Sequence, residues 1–528
     1  MALSQVAPVA LLLTVLVVLP LSYLLILLAG NGGGGDARRR RLPPSPRGLP
    51  LLGHLHLLGS LPHRALRSLA RAHGPVMLLR LGRVPTVVVS SAAGAEEVMR
   101  ARDRAFANRP RSAMADRLLY GSRDVAFAPY GEYWRQARRV CVVHLLSARR
   151  VQSFRRVREQ EAAALVGRVR AKGDEDGAAV VVGLSELLTE YANAVVSRAA
   201  FGDESARGLF DGGDRGREQR KVFTDFQTLI GMEPLGELLP WLGWVDAARG
   251  LEGKIRRTFE ALDALLDKVI DDHRRRRPKN GDDGIDGEHW DFVDVLLDVH
   301  KHDQEYGFQL ETNEIKAIIL DMFAAGTDTT STVMEWAMAE LVTHPRAMRK
   351  LQDEIRAAVG STGSVDEGHF AELRYLKAVV KETLRLHAPV ALLVPREPPA
   401  DAEILGYHVP ARTRVVINAW AIGRDPATWE DAEEFLPERF SSSAVDFRGQ
   451  HFELVPFGAG RRGCPGLGLA EASIEMALAS LMYHFDWEST GGTGSSAVDM
   501  TEMSGISVHI KSGLPLVAKP WTPATPTC

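Results

Sequence analysis

Apolar residues dominate the start of the chain: Val6 to Ala29 is a run of 24 almost wholly apolar positions, and no charged side chain occurs before Asp36. Such a run is long enough to cross the hydrocarbon core of a bilayer as a helix, and Pro8 and Pro20 are tolerable within one. A cleaved secretory signal would begin with basic residues and have a shorter apolar centre, roughly 7 to 15 residues. The pattern therefore predicts a retained N-terminal membrane anchor over residues 1–35. After the spacer Asn31–Gly35, the block Arg38–Arg41 stays in the cytosol by the positive-inside rule, so everything that follows faces the cytosol. No Asn-x-Ser/Thr sequon occurs in the chain, in agreement with that orientation. Residues 42–53, LPPSPRGLPLLG, contain four prolines that oppose helix and interior strand, and residues 36–53 read as a basic and Pro-rich hinge.

Beyond the hinge the hydrophobic period is mostly helical, with strand-like runs at Pro85–Ser90 and Arg412–Ile417. The pattern predicts a mainly α body of α+β type, with a small β-rich lobe, over residues 54–528. A long helix is predicted from Glu314 to Thr343. Pro278–His289 reads as a surface loop rather than a domain boundary, and Arg274–Arg277 before it as a solvated basic helix end. The chain has 528 residues, a net charge of −3, 25% charged and 45% hydrophobic positions, values that argue against a disordered chain or a nucleic-acid binder. Only Cys141, Cys464 and Cys528 are present, so neither a disulfide framework nor a multi-cysteine zinc site is available.

Cys464 stands in PFGAGRRGCPGLGLAEASIEMALASLMYHF. Pro465 suits a first helical position and Ala470–Leu481 is a strong helix-forming run, which places the thiol at or next to a helix N-terminus. Exposed N–H groups, the positive dipole end, Arg461 and Arg462 all favour thiolate over thiol. Five glycines, Gly458, Gly460, Gly463, Gly466 and Gly468, would let a large flat group approach the backbone. A lone activated thiolate on a bare glycine loop is suited to ligating a metal. Gly458-Ala-Gly460-Arg-Arg-Gly463 also satisfies the dinucleotide fingerprint G-x-G-x-x-G, but that motif needs a βαβ unit and a second strand with an acid about 20 residues on. Here the helix runs into Trp487 and the chain ends 41 residues later.

The sequence Phe457-x-x-Gly460-x-Arg462-x-Cys464-x-Gly466 resembles the haem-binding signature of the cytochrome P-450 monooxygenases. The resemblance runs from the hinge to the C-terminus and is strongest to membrane-bound plant enzymes of specialised metabolism. It implies the P-450 fold, haem b with Cys464 as proximal thiolate ligand, Phe457 in the haem loop, Arg462 at a propionate, and a position in the endoplasmic reticulum membrane. Thiolate donation to iron favours O–O cleavage. In the predicted helix 314–343, Ala325, Gly326, Asp328, Thr329 and Thr330 resemble the oxygen-activation motif. Gly326 costs about 1 kcal/mol relative to alanine in a helix, and the threonine hydroxyls compete for carbonyls one turn back. By resemblance Asp328 relays protons into the pocket and Thr329 positions the water that delivers them.

Glu382 and Arg385 are one helical turn apart in KETLR, and Arg439 follows in FLPERF. An isolated pair of this kind is usually solvated, but these residues resemble the family's E-x-x-R and P-E-R-F elements, which implies a structural lock behind the haem. Trp134 and Arg138 share a helix face and resemble the W-x-x-x-R element that holds a propionate; Arg396 resembles a further propionate partner. From Val125 to Arg158 there are eight arginines and one acid, Glu132. This segment reads either as an ordinary solvated face or as a docking patch for an acidic electron donor, and the resemblance implies NADPH-cytochrome P-450 reductase as that separate partner.

Also by resemblance, the substrate pocket draws on the 110–125 loop, Met322, Ala325, Val390, Ala391, Val394 and Ile506. These positions are mostly apolar, which implies a small hydrophobic or aromatic substrate. Ser45, Ala388 and Ala391 depart from the commoner pattern, and indole-derived, terpenoid and phenolic substrates all remain compatible. Two other functions compete with the monooxygenase, a haem-thiolate isomerase or dehydratase working without reductase and a non-enzymatic haem binder. Neither needs the Asp328–Thr329 pair.

Overall fold

The computed structural model describes residues 41–522 except 174–178, 211–212, 277–289, 303–307, 361–362 and 492–497. The anchor reading, the arginines before Arg41, the 278–289 loop and Cys528 lie outside the described residues. Among those described, no helix is long and apolar enough to cross a membrane.

The body is built from strands β1 (Val76–Leu81), β2 (Val84–Val89), β3 (Val180–Gly183), β4 (Ala402–Ile404), β5 (Tyr407–Val409), β6 (Arg414–Ile417), β7 (Phe485–Ser489), β8 (Glu502–Ser504), β9 (Val508–Ile510) and β10 (Pro515–Pro520). The helices that place the site are α1 (Glu132–Val140), α2 (Arg155–Arg170), α3 (Leu184–Phe210), α4 (Thr312–Thr343), α5 (Arg374–Leu386) and α6 (Leu467–His484). The two strand-like runs of the sequence are neighbours in one sheet, of order β1-β2-β6: β1 and β2 form an antiparallel hairpin, and β6 joins β2 in parallel with Val87 opposite Val415. In a second sheet β10 lies between β3 and β7, so a strand near the C-terminus closes on one more than three hundred residues earlier. Residues 42–53 lie along β1: Leu78 N–H donates to Pro44 O at 2.8 Å, and His54 Nδ1 accepts the Arg80 N–H at 2.7 Å.

Helix α4 carries apolar residues around most of its circumference and is buried along most of its length, as expected of a helix that crosses a core and does not cover one. Helices α3 and α6 pack against it. Gly326 makes the α3 contact possible: a Cβ there would stand 2.8 Å from Val196 Cγ2. The helix-propensity cost noted from the sequence is thus offset by packing. Ala162, Tyr191, Met334, Trp336, Leu351, Leu478 and Tyr483 belong to one buried cluster that joins α2, α3, α4 and α6. Burial of each large apolar side chain in such a core contributes about 1.5–3 kcal/mol.

Candidate active site

Between the N-terminal approach to α6 and the middle of α4 lies a largely apolar cavity. Cys464, Phe457 and Leu469 line one side, and Ala325, Gly326 and Thr329 line the other. The thiol sits three residues before the first residue of α6, in a loop pinned by a Cys464 N–H bond to Phe457 O at 2.9 Å. Gly460 is required by this loop: its φ is +67°, and a Cβ would fall 2.0 Å from Met99 O. The exposed surface of Cys464 opens into the cavity, not into bulk water, so burial pushes the thiol upward. The N–H groups of Gly466 and Leu467 and the charge of Arg138 oppose that shift. These donors are the ones a helix N-terminus offers to an anion.

Arg109, Arg138, Arg396 and Arg462 also line the cavity, with Asp321 as the lining acid. Burial lowers all four guanidiniums, Arg396 to about 10 and Arg462 to about 9, and for Arg109 and Arg462 repulsion from neighbouring arginines adds to it. A buried excess of positive charge is costly without an anionic partner. Arg396 Nη2 donates to Ala459 O at 2.9 Å, but its buried Nη1 has no hydrogen-bond acceptor, the nearest carboxylate oxygen, on Asp103, being 3.7 Å away. A group with two carboxylates, a flat apolar body and a metal that accepts a thiolate matches this donor set, and haem b is such a group.

The arginines are not interchangeable. Arg462 directs Nε, Nη1 and Nη2 to the carbonyls of Ala107, Val125 and Ala128 at 2.6–3.1 Å and stacks on Trp134 at 4.1 Å. Arg138 Nη2 donates to Gly463 O at 2.5 Å, next to the thiol loop, and the Trp134 indole N–H donates to Val125 O at 2.9 Å. Trp134 and Arg462 therefore clamp the 107–128 segment over the cavity, and Arg396 is the residue with an uncommitted buried donor. Arg109, which the sequence reading did not single out, ties that segment to the other wall through Val394 O and Pro395 O at 2.6 and 2.8 Å.

On α4, Thr329 donates to Ala325 O at 2.6 Å within the cavity wall. Asp328 is not among the lining residues and pairs with His509 Nε2 at 3.1 Å. Burial works to raise the Asp328 carboxyl, but the His509 hydrogen bond and charge, with Ser507, hold it below its ordinary range. Asp321, missed from sequence, accepts the Val125 and Ala126 N–H groups at 2.6 and 3.0 Å and faces the fully buried Asp124. Burial raises both carboxyls, and the Asp124 charge adds to the rise of Asp321.

On α5, Arg385 donates to both oxygens of Glu382 at 2.8 Å, and Arg439 Nε donates to Glu382 Oε1 at 3.0 Å. Met322, Ala325, Val390 and Val394 line the cavity, joined by Leu393, a non-glycine residue at φ +48°. Ala391 does not line it; it is buried with Trp420, Ala421 and Val508. Ile506 packs near Gly231 outside the cavity lining. Both residues were expected at the pocket by resemblance to the family, and each packs in a neighbouring apolar cluster.

A family model described as Cytochrome P450 matches residues 43–516. The chain is 50% identical over 472 residues to Cytochrome P450 71A1 of Persea americana, covering 88% of this chain and 91% of that one. It is 43% identical to Norfluorocurarine oxidase of Strychnos sp, covering 90% and 92% of the two chains. A solved zebra fish cytochrome P450, titled as a structure with abiraterone, superposes with a TM-score of 0.71 at 25% identity, over 88% of this chain and all of that one. The chain belongs to the cytochrome P450 family and is close to its plant members. It is an oxidoreductase of the monooxygenase class, using haem b on a cysteine thiolate, dioxygen and NADPH-derived electrons.

Proposed function

We propose that this enzyme inserts one oxygen atom of O2 into a small apolar or aromatic specialised metabolite, with electrons passed from NADPH by a separate reductase. The observation that carries this reading is the arrangement of the cavity, with Cys464 on one wall, Thr329 on the other and apolar Met322, Val390, Leu393 and Val394 beside it. When bound, haem b supplies the iron at which dioxygen is activated. Cys464 would be its ligand, and Arg396 and Arg138 are the guanidiniums suited to its propionates. Gly466 and Leu467 stabilise the thiolate by their N–H groups. Asp328 is the carboxylate, one residue from the cavity wall, through which a proton would pass, and Thr329 fixes a hydroxyl in that wall where it can order water. The apolar lining excludes bulk water and accepts an apolar substrate by its shape.

Attachment to the endoplasmic reticulum membrane, single-pass with the body in the cytosol, is supported by the 1–35 run and by exposed apolar side chains on the described body. Leu49, Leu51, Trp241 and Trp244 are all exposed, Trp244 by 67%. The segments that carry them meet at one turn: Gly82 N–H donates to Leu52 O and Arg83 N–H to Leu238 O. Amphipathic aromatic residues favour a membrane interface. The test is a metabolite screen in which the membrane-bound enzyme, a plant reductase and NADPH are offered indole-derived, terpenoid and phenolic compounds. NADPH-dependent appearance of a product 16 mass units heavier supports the reading. Product formed without reductase or NADPH would contradict it.

A further inference from the structure

On the outer side of α4 the chain builds a polar route that ends in water. Strand β9 lays His509 against the helix, with Nε2 3.1 Å from Asp328 Oδ1, Nδ1 3.0 Å from Thr332 Oγ1, and Nδ1 3.9 Å from Glu335 Oε2. Glu335 is fixed by the Ser185 hydroxyl at 2.5 Å on one oxygen and the Ile510 N–H at 3.2 Å on the other. His509 and Glu335 form part of the lining of an open recess of about 400 Å3, together with Ser185, Glu186 and Glu190 of α3. Most residues of its lining carry polar or charged side chains, and it has ample room for water. Asp328 does not line the haem cavity, and Thr329, the next residue, does. His509 thus stands between solvent in the recess and the carboxylate nearest the cavity wall.

We propose that His509 is a proton-transfer residue that recharges Asp328 from the solvent recess; the inference rests on the reading that Asp328 supplies protons to the haem pocket. Among the described residues, the titratable groups that face the imidazole are Asp328 and Glu335 of α4 and, across the recess, Glu186 and Glu190 of α3. All are acids, and their charge favours the imidazolium. Burial works to lower His509, but the Asp328 hydrogen bond and charge, with Glu335, outweigh it and hold the ring above the ordinary imidazole value. In the transfer, Nε2–H passes its proton to Asp328 Oδ1, leaving neutral imidazole and a carboxylic acid. The acid rotates about its Cα–Cβ bond and releases the proton on the Thr329 side. Nε2, freed from its partner, regains a proton from recess water. One proton enters and one leaves, and no electrons move. Thr332, whose hydroxyl donates to Asp328 O at 2.7 Å, can accept from Nδ1–H and hold the ring in place.

The test uses full-length enzyme with reductase and NADPH and no organic substrate, so that dioxygen is itself the probe. Reduction of O2 to water consumes two NADPH and two further protons; reduction to hydrogen peroxide consumes one NADPH and one further proton. His509→Gln keeps a hydrogen-bond donor toward Asp328 but cannot titrate, and His509→Phe removes both. Each should cut the rate of water formation roughly tenfold or more, the size of a general acid–base contribution, and abolish the part of its pH dependence that follows His509. A second reading needs no turnover. Acylation of His509 by diethyl pyrocarbonate, followed by peptide mass spectrometry across pH, should show a midpoint above about 6.5 that drops in Asp328→Asn. The inference is overturned if Asp328→Asn diverts oxygen to peroxide while His509→Gln keeps the wild-type NADPH-to-oxygen ratio and pH profile, or if the acylation midpoint does not move. If Asp328→Asn itself leaves the ratio unchanged, the underlying role of Asp328 fails and the relay fails with it.

Discussion

Thr329 shares one hydroxyl between two tasks: it donates to Ala325 O at 2.6 Å inside α4, and its oxygen stands in the cavity wall. Thr329→Ala removes that oxygen without disturbing the Asp328–His509 pair. The expected outcome is retained haem and substrate binding with electrons diverted to hydrogen peroxide, checked as product and peroxide per NADPH consumed; unchanged coupling would remove Thr329 from proton delivery. The neighbouring Thr330 also lines the cavity, and the double variant Thr329→Ala, Thr330→Ala checks whether it takes over. At this scale the sequence was informative where chemistry is local. Cys464 and its glycines, or Ala325 to Thr330, each fit within ten residues and carry their own pattern. His509 lies 181 positions after Asp328, and Asp124 lies 197 before Asp321. Neither pairing leaves a periodic or compositional trace, because a contact across the fold imposes no spacing on the chain.

Two elements make separable claims about stability. Glu382 is fully buried on α5 and accepts from Arg385, Arg439 and the Leu436 N–H, the last at 2.8 Å. Glu382→Gln leaves two guanidiniums without their carboxylate, a loss of about 3–5 kcal/mol by the general behaviour of broken buried pairs. Lower haem-loaded yield and a lower thermal midpoint than in Arg439→Lys, which keeps a charge, would be measured. His273, at the end of the helix Leu251–Arg276, binds Asp291, the N-cap of the helix Phe292–Lys301, at 2.9 Å. Burial acts against its protonation, but Asp291 outweighs it and raises His273 from 6.5 to about 9. Because the folded value is the higher one, this contact contributes fully below about pH 6.5 and is lost as pH rises through about 9. His273→Gln should flatten the thermal midpoint between those limits, read by calorimetry at pH 6, 7.5 and 9; an undiminished slope would assign it elsewhere. The long predicted helix from Glu314 to Thr343 begins two residues earlier, at Thr312, because Glu311 and Glu314 form a capping box. The predicted strands emerged as β2 and β6, but their parallel pairing was not legible, since register between distant strands is fixed by the intervening fold.

At the scale of the whole molecule, the arginine-rich segment is the proposed docking face for a reductase. The structure narrows that segment: Arg158 is fully buried against Glu367, and Arg150 is buried, whereas Arg135 and Arg139 of α1 are exposed. The eight arginines therefore do not form one basic surface. Composition gave their number but not their direction. Arg135→Glu with Arg139→Glu should slow first-electron transfer at low salt and converge with wild type as salt rises, since the Debye length shrinks from about 10 Å at 0.1 M to about 3 Å at 1 M. Stopped-flow reduction across a salt series would show this, and parallel salt slopes would leave both residues as ordinary solvated charges. Cys464 is the proposed thiolate ligand of the haem in this cavity. The most direct measurement is the absorption spectrum of the reduced carbon monoxide complex for wild type and for Cys464→His. Wild type should show the red-shifted Soret band of a thiolate-ligated haem and Cys464→His should lose it; a variant that kept that band would contradict the assignment.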